Sequence, residues 1–152
     1  MAVDIKTLRI GSHVQHHGKR KMVLSMGGDT VYLLPSIVSS VAHVAKTDEI
    51  HPIPITPELL KELGFEERRT EYLYGAPDVW YIDSESAQLE KKNNLVVPTI
   101  TVSSLEKAGY PDWWMLKVIT GDKPMRSDNC TVRYLHEAES FLGLHNVELI
   151  KE

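Results

Sequence analysis

The stretch Ile50–Phe65, IHPIPITPELLKELGF, constrains this chain more than any other. His51-Pro52-Ile53-Pro54 cannot be helical, because each proline pushes its predecessor into extended geometry. Immediately afterwards Thr56 can cap a helix, with Pro57 at its first position and Glu58 near the positive end of the helix dipole. Leu59, Leu60 and Leu63 form one apolar face. Gly64 fits a left-handed stop, and Phe65 is placed to pack back on Leu60. A two-turn helix with well-specified ends therefore divides the sequence.

Ahead of it the sequence reads as short strands and tight turns. Leu8, Ile10 and Val14 flank Gly11, and His17-Gly18 turns the chain into Lys19–Met26. In that segment Met22, Leu24 and Met26 alternate with Lys21, Val23 and Ser25. Gly27-Gly28-Asp29 makes a hairpin turn into Thr30–Leu34, and Val41–Lys46 follows the Pro35–Ser40 loop. Strands this short, with turns this close, predict a small bent antiparallel barrel of the SH3-like kind.

Beyond the short helix, Glu67–Thr120 is again strand-like. Tyr72 and Tyr74 alternate with Glu71 and Leu73, Gly75-Ala76-Pro77-Asp78 turns, and Val79–Ile82 follows. Gln88–Lys91 and Leu95–Val102 read as strands joined at Asn93-Asn94. Trp113–Ile119 is another, closed by Gly121-Asp122-Lys123-Pro124. In Thr131–Leu142, Val132, Leu135, Ala138 and Leu142 recur at helical spacing, with Asp128 or Asn129 as cap and Gly143 as stop. A helix with one apolar stripe is expected to lie across the second sheet. The fold class is α+β: an SH3-like strand region at 1–50, a linker and short helix at 51–66, and an antiparallel sheet with its C-terminal helix at 67–152, all in one compact unit.

The 17 Lys+Arg against 21 Asp+Glu give a net charge of −4 with neutral histidines, which argues against a protein that coats long nucleic acids. The single cysteine, Cys130, excludes an internal disulfide. Neither a run long enough to span a membrane nor a signal-peptide core is present, so the expected location is the cytoplasm. Lys6, Arg9, Lys19, Arg20 and Lys21 make a basic stretch near the start, but no stacking aromatics interleave it.

His13, His16 and His17 are the densest set of potential metal ligands. Two imidazoles three apart can share a zinc only if a third ligand comes from elsewhere. The cluster is read as a solvated turn, and no metal or other cofactor is expected. Cys130 with His136, and the acids Asp78, Asp83 and Glu85, are weak catalytic candidates, so no catalytic residue is assigned.

The aromatics carry more information. Trp80, Trp113, Trp114 and Tyr74 fall on the inferred second sheet. Adjacent Trp113 and Trp114 on a strand point to opposite faces, so one enters the core while the other meets solvent, a second copy or a ligand. A tryptophan beside Arg68, Arg69, Arg126 or Arg133 would stack a base and pair with phosphates. The apolar surplus on this sheet exceeds what one helix can cover, which predicts a homodimer or larger assembly.

Three segments, Leu8–Val14 (LRIGSHV), Ile50–Phe65 and Val132–Leu144 (VRYLHEAESFLGL), together resemble a group of small, largely uncharacterised proteins from phages and prophages of gut bacteria. That group has an LRIGN-like opening, a PIPLTEEWLLKFGF-like segment and a closing YVHQLQNLYF-like helix. The segments make up about a quarter of this chain and bracket nearly all of it. Leu33–Ser40 and Ser84–Tyr110 are longer than in the group, and the group brings no catalytic residues. The resemblance implies a phage setting inside a host cell, where small proteins bind and disable defence factors. Within it the expected function is non-enzymatic binding, at its sharpest a sponge for a nucleotide-derived immune signal. The alternatives are a protein-binding inhibitor of a host factor and a nucleotide-cleaving enzyme.

Overall fold

Two five-stranded antiparallel sheets make up the framework of the computed structural model, which describes residues 7–35, 41–70, 78–93, 98–120 and 126–150. The mixed α+β class expected from the sequence is observed. By its contacts the chain divides into a unit of Met1–Pro54 with Tyr134–Glu152 and a unit of Ile55–Arg133.

The first sheet comprises β1 (His13–His16), β2 (Lys19–Gly27), β3 (Thr30–Leu34), β4 (His43–Lys46) and β5 (Ile50–His51), in the order β4-β3-β2-β1-β5. A single 3-10 turn, Thr47–Glu49, leads into β5. His17 at φ 50 and Gly18 at φ 74 make the tight turn between β1 and β2, the positive pair that matches the twist of a two-residue hairpin. The core of this unit holds Leu8, Val14, Val23, Val31, Leu33, Ala45 and Ile50. Along β2 the fully enclosed side chains are Lys21 and Val23, whereas Met22, Leu24 and Met26 are only half-buried. A bulge between Val23 and Ser25 shifts the register there, so simple alternation misassigns the inner face.

The second unit starts with α1 (Pro57–Glu62). Thr56 accepts the Leu59 N–H through its side-chain oxygen at 3.2 Å, and Pro57 occupies the first turn. Gly64 follows at φ 96, a conformation that favours glycine. The sheet then runs as a meander: β6 (Phe65–Thr70), β7 (Asp78–Asp83), β8 (Thr99–Ser104), β9 (Trp114–Thr120) and β10 (Arg126–Val132), each paired antiparallel to its predecessor. Cross-strand register puts Tyr81, Val102, Leu116 and, in the neighbouring rows, Ile100, Val118, Trp114 and Val132 on one face, where all are buried.

Four expectations are corrected. Gln88–Lys91 is not a strand but part of α2 (Ser84–Asn93), because Asp83 Oδ1 accepts the Ser86 N–H at 3.0 Å and starts a helix in SESAQLEKK. The C-terminal helix α3 (Leu135–Gly143) begins four residues later than predicted, since Thr131 and Val132 belong to β10. Its cap is neither Asp128 nor Asn129: Glu137 accepts the Tyr134 N–H at 3.0 Å. This helix also packs with the first sheet rather than the second, through the buried side chains of Leu135, Ala138, Glu139 and Leu142. The predicted turns at 75–77, 94 and 121–124 lie outside the described residues.

The left-handed stop makes a testable demand. A Cβ at Gly64 would meet nothing closer than Ser84 Oγ at 4.0 Å, so only the backbone resists substitution. Gly64→Val is expected to cost about 1–2 kcal/mol in urea unfolding. An unchanged midpoint would show that the chain does not need that conformation.

Candidate functional site

Strand pairing decides which of the candidate side chains can act together. Arg68 pairs with Trp80, Trp80 with Ser103, Ser103 with Met115, and Met115 with Thr131, so this row shares one face of the second sheet. The next row on the same face is Glu66, Ile82, Thr101, Lys117 and Asn129. An aromatic ring, a guanidinium, an ammonium, a carboxylate and the three hydroxyls of Thr101, Ser103 and Thr131 are thereby brought onto one surface. A cavity of about 770 Å³ opens there, lined by Trp80, Thr101, Ser103, Met115 and Lys117, and by Glu106 and Lys107 from the 3-10 turn Glu106–Ala108. That volume is in the range of small-molecule sites. Among the described residues Arg68 makes a loose 3.9 Å pair with Glu66 at the surface, an interaction of small energy that a phosphate can displace.

The remaining candidates separate. Trp114 is buried, donates Nε1–H to the Ile55 carbonyl at 3.0 Å, and meets the Tyr81 ring edge-on. It is a core residue and offers no stacking face. Burial, with the Glu67 and Glu58 carboxylates, holds the Tyr81 phenol above its usual pKa, so it stays neutral in that packing. Trp113 is half-buried just ahead of β9, with the Arg133 guanidinium over its ring at 5.1 Å, a second aromatic–arginine pair. Arg69 pairs with Val79 on the opposite face from Trp80, and its Nε donates to Glu67 at 3.2 Å. Arg126 opposes Thr120, six residues along β9 from Trp114, which at strand spacing is about 20 Å away. Tyr74 lies outside the described residues.

The catalytic candidates meet structural partners instead. Asp83 caps α2, Cys130 sits in β10 opposite Leu116, and His136 Nε2 meets Thr7 Oγ1 at 2.9 Å. The histidine cluster is not a solvated turn. His13 and His16 are buried; only His17 is exposed. Glu139 Oε1 accepts the His13 backbone N–H at 2.8 Å and Oε2 accepts its Nδ1–H at 2.6 Å. Lys21 Nζ, also buried, donates to Nδ1 of His16 and of His43, both at 2.9 Å.

Sequence reasoning found Trp80 and Arg68 but missed Thr101, Ser103, Lys107 and Lys117. Their signal was the polar alternation in TITVSS and the lone lysine in WMLKVIT, which assigns a face only once the strands are in register. No known protein family matches the sequence, and no curated protein or solved structure matches it.

The difference between the enclosed Trp114 and the half-buried Trp80 can be measured. Trp114→Phe leaves the Ile55 carbonyl without its donor and is expected to cost about 1–3 kcal/mol. Trp80→Phe should cost clearly less than that. Equal losses in urea unfolding would contradict the assignment.

Proposed function

We propose that this chain is a non-enzymatic binding protein of phage type that sequesters a nucleotide-derived immune signal, working in the cytoplasm of the host cell. The observation that carries the reading is the pairing of Arg68 with Trp80 on one sheet face, where Trp80 lines a cavity with Lys117, Lys107, Thr101 and Ser103 and Arg68 stands outside that lining beside it. A base stacks on Trp80, phosphates meet Arg68 and the lysines, and the hydroxyls take sugar or phosphate oxygens. Stacking contributes about 1–3 kcal/mol per base and each charge-assisted bond about 1.5–3 kcal/mol, enough together for micromolar binding. The likeness of Leu8–Val14, Ile50–Phe65 and Val132–Leu144 to small phage proteins supplies the setting.

The first sheet fits an SH3-like barrel. Its strand order, with a 3-10 turn before the last strand, is the order such barrels use. Tyr32 and Val44, register partners on β3 and the edge strand β4, are 43% and 63% exposed. This pair favours a second reading, in which the barrel docks a protein, either a host factor or a second copy of the chain.

Calorimetry of the full-length protein against cyclic dinucleotides and ADP-ribose derivatives tests the proposal. Micromolar or tighter binding is expected, with Trp80→Ala weakening it at least tenfold and circular dichroism unchanged. No product should form on long incubation; turnover would make the protein an enzyme. If nothing on the panel binds, the nucleotide reading fails and the protein-docking reading takes its place. A single-chain mass by light scattering would remove assembly from it.

A further inference from the structure

Neighbouring residues on a strand point to opposite faces, yet His16 and His17 present their rings together, with centroids 3.9 Å apart. The cause is the left-handed backbone of His17, which turns its imidazole back beside that of the last residue of β1. Non-glycine residues adopt this conformation only at a cost. Glu49, the final residue of the 3-10 turn ahead of β5, arrives at the same point. One ligand atom from each of His16, His17 and Glu49 lies within 4.8 Å of the other two.

Two members of this group, His16 and Glu49, also make contacts away from the shared point. Glu49 Oε1 accepts the Lys46 N–H at 3.4 Å, leaving Oε2 at 3.7 Å from His16 Nε2. That separation is too long for a hydrogen bond, and His16 Nε2, on a residue only 3% exposed, has no hydrogen-bond partner among the described residues. A buried ring nitrogen left without a partner needs an occupant. Two ligand atoms bound to one zinc at about 2.0–2.1 Å and at the tetrahedral angle stand about 3.4 Å apart. The observed gap is within a few tenths of an ångström of that value, and the exposed His17 and Glu49 side chains can close it.

We infer that His16 Nε2, an imidazole nitrogen of His17 and Glu49 Oε2 form a binding site for a divalent transition-metal ion of the zinc type, its remaining positions open to water. The set is two imidazoles and one carboxylate, a composition zinc accepts when a solvent position is kept. Burial, followed by the neighbouring Lys21 and His17, lowers the His16 pKa and favours the neutral ring that a metal requires. Lys21 Nζ fixes the ring through Nδ1. A metal at Nε2 would require His16 to carry its proton on Nδ1, the nitrogen that faces Lys21 Nζ at 2.9 Å. Sequence spacing offered only the two histidines; the third ligand comes from a turn more than thirty residues further along.

Chelator-stripped full-length protein titrated with zinc chloride is the test. One equivalent is expected to bind with a micromolar or tighter Kd, and saturating zinc is expected to raise Tm. His17→Asn keeps a residue that tolerates the left-handed turn but removes the imidazole. Glu49→Gln keeps the acceptor for Lys46. Each should weaken zinc binding at least tenfold with circular dichroism unchanged, whereas His145→Gln should leave it intact. Failure of the wild-type protein to bind saturably overturns the inference. So does the same zinc affinity and Tm response in the wild type and both variants, which would place the metal on other histidines.

Discussion

A buried carboxylate holds the two ends of the first unit together. Glu139, on α3, takes both the backbone N–H and the ring N–H of His13, on β1, across 126 residues of sequence. Such a pair is costly to bury and costly to break, because removing one partner leaves the other desolvated and uncompensated. The C-terminal helix therefore cannot be exchanged for any apolar stripe laid on any sheet. It is specified to sit on β1, and around that contact Leu135, Ala138 and Leu142 complete the burial. The chain joins these parts with further backbone bonds: Leu135 N–H donates to the Ile53 carbonyl at 2.8 Å, and Pro54 bridges to Tyr134. In sequence, Ile55 to Arg133 forms a second unit that falls between the two segments of the first.

That arrangement explains what the sequence could and could not convey. Local signals were legible: the Thr56-Pro57 start and Gly64 stop of α1, the His17-Gly18 hairpin, and the strand character of most of the second unit. Each depends on a few adjacent residues. The partner of α3 was not legible, because its apolar stripe fits either sheet, and the polar contact that decides between them has its other half near the opposite end of the chain. Gln88–Lys91 was misread as strand because the helix that contains it is started by a single capping aspartate, Asp83, and lacks a strong apolar stripe. Alternation along β2 could not say which set faces inward throughout, because the bulge after Val23 passes the inner position on to Met26.

The candidate site shows the same dependence on register. Trp114 is enclosed with its indole N–H satisfied, while Trp113 lies ahead of β9, half-buried under Arg133, so the pair is not split across one strand as expected. Of the four arginines named from sequence, only pairing partners could tell that Arg68 shares a face with Trp80 and that Arg69 does not. The lysines and hydroxyls beside them became visible only with three strands aligned. In the first unit the histidines that read as a solvated turn instead do two different jobs. His13 anchors the helix, and His16 sits buried beside Lys21 and opposite Glu49.

The claim on which this account rests is that His13 and Glu139 act as one unit in fixing α3 to the first sheet. A double-mutant cycle in urea unfolding, with His13→Ala, Glu139→Ala and the double variant, measures it directly. A coupling energy of about 1.5–3 kcal/mol is expected, the range for a hydrogen-bonded pair that includes a charge. Single losses that simply add, to within about 0.5 kcal/mol, would show that the helix is held by its apolar face alone and that the contact is incidental.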